Sequence, residues 1–169
     1  PQELAFLDIE ADWPMTLVAA DDVAVATGMF GNIYFFLDIS NPAEPVLASQ
    51  LTSEELELHA AVETLSLSLD GDTLSIAHPR GLTMLDVSDP TQPEALGAIE
   101  NPDWEGPQSV EGAGTDTQIE LSVGDAMLNR AIDPAAWHDS VVVGDHAYVA
   151  AGDGGVLVFD VSDQSNPRE

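Results

Sequence analysis

Two residue types are missing from this 169-residue chain altogether, cysteine and lysine. Without cysteine there is no disulfide, no thiolate metal site and no cysteine nucleophile. Without lysine, the basic residues shrink to Arg80, Arg130 and Arg168, against 31 acidic ones and a formal charge of -28. A surface of that sign excludes nucleic acid and anionic lipid as partners, because both need a basic face. No run of 18 apolar residues occurs, so no segment reads as a membrane span. The Gly-x-Ser-x-Gly elbow of α/β-hydrolases and the His-Glu-x-x-His pair of zinc enzymes are also absent. The first residue is Pro1, with no initiator Met or signal peptide ahead of it. A processed product or a segment of a longer chain is the expectation.

What remains is far from a disordered acidic tail. Apolar residues make up 44% of the chain and fall in ordered runs, and the length suffices for one ordinary core. Self-repulsion at this charge has to be offset by salt, bound divalent cations or an oppositely charged partner. A solvated acidic surface suited to a halophilic or marine setting is the plainer expectation. Specific cation binding is the alternative.

One phrase occurs three times: Leu37-Asp38-Ile39-Ser40-Asn41-Pro42, Leu85-Asp86-Val87-Ser88-Asp89-Pro90 and Phe159-Asp160-Val161-Ser162-Asp163-Gln164. Each closes an apolar run, and Pro45, Pro93 or Pro167 stands seven residues after its Asp. Around the phrase the chain reads as short β-prone runs split by tight turns. Residues 13–51 form the first unit, 64–99 the second and 140–167 a third that lacks its last strand. The second contains Leu65, Leu67 and Leu69 at period two, the spacing of a half-buried strand. Leu4–Ile9 reads as a buried strand, in phase with the fourth strand of a preceding unit. Thr52-Ser53-Glu54-Glu55 matches a capping box ahead of Leu56 and predicts one helical turn.

The phrases are separated by 48 residues and then by 74, which exposes an insertion at 100–139. Within it, Gln118–Val123 reads as a strand and Asp125–Ile132 as a short capped helix. Insertions between compact units often carry function.

Units of about 45 residues with four antiparallel strands are the signature of β-propeller blades, which must stack to bury their faces. The expected fold is therefore all-β, with about three blades in this chain. Three are too few to close a ring, so a longer chain or a homo-oligomer is expected. Leu4–Ile9 is placed to complete another blade by strand addition. The phrase Asp38, Asp86 and Asp160 are read as turn-forming structural residues, since Asp accepts hydrogen bonds from the next backbone N–H groups.

Gly154-Gly155-Val156-Leu157-Val158-Phe159-Asp160-Val161-Ser162-Asp163 and Gly81-Leu82-Thr83-Met84-Leu85-Asp86-Val87-Ser88-Asp89-Pro90 resemble the LVIVD-repeat family of β-propellers. His146-Ala147-Tyr148-Val149-Ala150 fits it as well, while 100–139 does not. The resemblance implies a secreted or cell-surface protein, and it brings no catalytic residue set to this chain.

Candidate chemistry is sparse. Asp70-Gly71-Asp72 and Gly152-Asp153-Gly154-Gly155 offer oxygen ligands, so Asp70, Asp72 and Asp153 are the weak metal candidates, with calcium as the ion. No other cofactor is indicated. Tight turns use the same residues for backbone reasons alone. Of the four histidines, His59, His78, His138 and His146, His78 and His146 fall at hairpins, where a turn or exposed role is expected, and His138 stands just before a strand; a satisfied structural histidine is the expectation at each. Tyr34, Phe35 and Phe36 read as core. The leading functional expectation is a non-catalytic extracellular or cell-surface module that acts as a surface, scaffold or assembly unit. It would bind a protein partner or itself. The alternative is a cation-dependent propeller enzyme, lactonase-like or glycan-active, with catalytic residues unknown.

Overall fold

The computed structural model describes residues 5–9, 14–28, 33–56, 58, 64, 66–104 and 137–168. These residues form three antiparallel sheets, two of four strands and one of three, consistent with partial propeller blades. The first sheet holds β1 (Pro14–Ala20), β2 (Val23–Gly28), β3 (Ile33–Asp38) and β4 (Val46–Thr52). The second holds β5 (Ser66–Asp70), β6 (Thr73–His78), β7 (Gly81–Asp86) and β8 (Glu94–Glu100). The third holds β9 (Asp139–Val143), β10 (His146–Ala150) and β11 (Val156–Asp160). In every sheet the spatial order is the chain order, as local hairpins dictate.

The first hairpin of each sheet turns on two residues, and the leading one takes positive φ: Asp21 at 49°, Gly71 at 54° and Gly144 at 56°. Glycine and aspartate are among the residues that tolerate this region, and the second turn residue is an aspartate each time, Asp22, Asp72 and Asp145. The last hairpin of the two complete sheets has a register shift at one matching place, between Phe36 and Leu37 and between Met84 and Leu85. A bulge there adds twist to the outer strand.

The sheets stack face to face, with β1 beside β5 and β5 beside β9. Two apolar cores result. Between the first two sheets lie Val23, Val25, Tyr34, Phe36, Leu74, Ile76 and Leu85, joined by Leu56 and Leu58 from the connector. Between the second and third lie Leu82, Met84, Trp137, Val142, Val149 and Phe159. The rings of Trp137 and Phe159 are 5.5 Å apart and tilted by 39°, a favourable aromatic geometry. The sequence reading of Tyr34, Phe35 and Phe36 as core matches their exposures of 3% or less.

Other expectations fare differently. His78 has no exposed hairpin role: it is the last residue of β6, 8% exposed, with Nε2 3.1 Å from the Thr83 hydroxyl, as a structural histidine. His78 alternates with Ala77 along β6 and so shares the face of Leu74 and Ile76, on the side of the first sheet, which no local pattern records. The capping box does form: Glu55 accepts from the Thr52 N–H at 2.8 Å while Thr52 accepts from the Glu55 N–H at 3.2 Å. It leads into the single turn expected, over residues 53–56, which the Leu56 N–H closes on the Thr52 carbonyl at 3.1 Å. Residues 5–9 form no ladder with the described residues, and Phe6 is 81% exposed. The strand at Gln118–Val123, the helix at Asp125–Ile132, His59 and Leu65 lie outside the described residues.

Candidate functional site

The thrice-used phrase builds one device. Asp38 accepts from the Ser40 N–H at 2.9 Å, Asp86 from Ser88 at 2.8 Å and Asp160 from Ser162 at 2.9 Å. The residue after each Asp donates its N–H back to the sheet's first hairpin: Ile39 to the Asp22 carbonyl, Val87 to that of Asp72, Val161 to that of Asp145. Three residues further on a β-turn closes, Glu44 to Asn41, Gln92 to Asp89 and Asn166 to Asp163. Pro45, Pro93 and Pro167 then stand directly before Val46, Glu94 and Arg168, the residues that pair with the phrase Asp. Proline lacks a ladder donor, so it fits just before a strand and not within one.

These turns also set charge states. Hydroxyl and then N–H donation from Ser40 holds Asp38 below the ordinary carboxylate range, and Ser162 does the same for Asp160, helped slightly by His146 and Arg168. Thr91 lowers Asp89 in the same order of causes. A depressed folded pKa means that the stabilising contribution is complete above the unfolded value, near 3.8, and is lost as pH falls below it. Asparagine keeps the acceptor without the charge. A variant carrying Asp38→Asn, Asp89→Asn and Asp160→Asn should therefore lose less stability below pH 4 than the parent. Urea midpoints at pH 5 and pH 3 measure this; parallel losses in both proteins refute the turn mechanism.

The remaining polar contacts join the sheets. Ser49 in β4 donates its hydroxyl to the Pro90 carbonyl at 2.6 Å. Gly97 holds the same register in β8, opposite Met84 as Ser49 is opposite Phe36, and a Cβ there would meet the Gln164 carbonyl at 2.0 Å. Gln164 in turn stands where Pro90 stands in the second phrase, and its amide donates to Thr73 at 2.9 Å. The second and third phrases therefore each dock on the fourth strand of the sheet before them. Ser66 also bonds Asp139 across the second interface. Tyr34, buried between the first two sheets, bonds Thr64; burial pushes its hydroxyl above the usual tyrosine range.

The metal candidates fall into separate roles. Asp70 accepts from the Gly144 N–H at 2.8 Å and ties the second sheet to the third sheet's first hairpin. Asp72 contributes its carbonyl to the Val87 bond described above. Asp153 sits in the 3-10 turn Gly152–Gly154, after β10, so it lies at the opposite end of that strand from Gly144 and Asp70. Among the described residues no three His, Asp or Glu side chains stand close enough to hold an ion together.

A cavity of about 560 Å³ opens between the second and third sheets. Ile99, Trp137, Leu157 and Phe159 give it an apolar floor, and Glu100, Asp103 and Asp153 stand around it. A smaller space of about 280 Å³ adjoins it, where Arg80 lies over the Trp104 ring, 5.4 Å from its centroid. Sequence reasoning missed the cavity, Gly97 and Trp137. Only Gly97 carried a signal, a small residue four places after Pro93, as Ser49 is four places after Pro45.

No match to a curated protein accompanies this geometry. A family model described as the LVIVD repeat matches residues 27–52, 63–100 and 138–169, which is more than half of the chain and includes all three phrases; the chain belongs to the LVIVD repeat family.

Proposed function

We propose that this chain is a non-catalytic scaffold that assembles by stacking its end sheet on another sheet of the same repeat, in an extracellular or cell-surface β-propeller. One observation carries this reading. In the first sheet Val25, Tyr34 and Phe36 are each 1% exposed or less, covered by the second sheet. The matching Ser75, Leu82 and Met84 of the second sheet are fully buried under the third. At the same three positions of the third sheet, Tyr148, Val156 and Val158 are 39%, 70% and 45% exposed. Val141 and Val143 extend the same face, 46% and 61% exposed. A contiguous apolar face of this kind marks an interaction surface, and stacking is what its counterparts do within the chain.

Strand addition supports the same assembly role. Asp160 pairs with Arg168 on the outer edge of β11, just as Asp38 pairs with Val46 and Asp86 with Glu94, so a fourth ladder has its first rung there. The -28 charge keeps such a scaffold soluble and fits a saline location outside the cell.

Light scattering across a concentration series in molar salt tests the reading. The parent should gain mass with concentration, and Val156→Lys with Val158→Lys should hold it at one chain. A parent that stays a single chain at every concentration, with a face that binds no apolar dye, would overturn it.

A further inference from the structure

We infer that the cavity between the second and third sheets is a binding site for a small organic cation with an aromatic or alkyl body. The first interface supplies the internal comparison. After β4 the connector sends Leu56 and Leu58 into the core between the first two sheets. After β8 the chain turns at Asn101, whose side chain donates to the Pro79 carbonyl at 2.9 Å and accepts from the Asp103 N–H at 3.1 Å. That turn carries Trp104, at the place of Leu56, out onto Arg80. Among the described residues the second interface has an opening of about 560 Å³, within the size range of small-molecule pockets.

The lining selects the ligand. Its floor is apolar, with Trp137 and Phe159 in tilted ring contact beside Leu157. Its charged residues are Glu100, Asp103 and Asp153, all exposed carboxylates, and none of the lining side chains is basic. An apolar body displaces water from the floor while an ammonium group meets the carboxylates and the aromatic π-faces. An anion of the same shape meets three like charges. A neutral analogue keeps only the apolar part.

The probe is phenethylammonium, with 2-phenylethanol as its neutral analogue, titrated by calorimetry and by Trp137 emission in a Trp13→Phe, Trp104→Phe background. Binding at about millimolar or tighter is expected for so few atoms, and at least tenfold weaker binding of the alcohol. Glu100→Gln with Asp103→Asn and Asp153→Asn should weaken the cation about tenfold, the combined effect of exposed charges at a pocket mouth. Asp21→Asn with Asp22→Asn and Asp145→Asn removes as much charge elsewhere and should leave affinity unchanged. Equal weakening by the two triple variants identifies a diffuse ion atmosphere and overturns the site. So does equal binding of the alcohol, or no emission change at Trp137 up to tens of millimolar. The six acidic substitutions are all on exposed side chains, so the fold survives them, and the outcome is independent of whether the end sheet stacks.

Discussion

Gly97→Ala should destabilise the protein by about 3 kcal/mol, at the upper end of what overpacking costs. The added Cβ would stand 2.0 Å from the Gln164 carbonyl oxygen and 3.2 Å from its carbon. That obstacle is backbone, pinned by the Asp163–Asn166 turn and by the Gln164 amide bond to Thr73. It cannot swing aside as a side chain would. The sheets must separate locally, which opens the core that contains Leu82, Met84 and Phe159. Ser49 shows the other solution at this register, where the first two sheets leave room for a side chain that bonds the Pro90 carbonyl. Ser49→Gly should accordingly cost only about 1 kcal/mol, the worth of one hydrogen bond. Urea unfolding of both variants decides the matter, with near-ultraviolet circular dichroism reporting on the Trp137 environment. If Gly97→Ala matches Ser49→Gly, the close docking of phrase on fourth strand is wrong.

That contrast also marks the limit of what the chain reveals when read as a string. The Asp-x-Ser turns were legible because their chemistry is local: Asp38, Asp86 and Asp160 each bond a backbone N–H two residues on. Strand order was legible because each hairpin joins neighbours in sequence. Stacking follows other rules. Whether His78 faces water depends on how its sheet is packed, and its 8% exposure cannot be read from the hairpin's sequence alone. The cavity draws its floor from β8, from Trp137 and from β11, three pieces that no motif connects. Leu4–Ile9 has the composition of a strand, but a strand exists only through its ladder partner, and residues 5–9 have none among the described residues. For the proposed site, the acidic composition is the only sequence feature that points to a cation, and nothing in the sequence marks the place.

Lowering the salt concentration should have the largest effect of all. Spread over a globule roughly 20 Å in radius, 28 uncompensated charges repel one another strongly, and unfolding moves them apart. Screening changes this term by on the order of 10 kcal/mol between 1 M and 0.1 M salt, where the Debye length grows from about 3 Å to about 10 Å. That matches the whole net stability of an ordinary domain, about 5–15 kcal/mol. Internal pairing gives little relief, because Arg80 is stacked on Trp104 and Arg168 lies at an exposed strand start. The protein should therefore be cooperatively folded in molar sodium chloride and largely unfolded at 0.1 M, with its thermal midpoint rising steeply between. Neutralising exposed Asp21, Asp22 and Asp145 to asparagine should raise the low-salt midpoint while leaving the high-salt one nearly fixed. Calcium and magnesium at equal ionic strength should act alike if screening is the cause, whereas a rise specific to calcium would reveal an ion site. A midpoint flat in salt from 0.1 M to 2 M would mean that the carboxylates are compensated by bound partners, and the acidic surface would then be an interface and not a solvated shell.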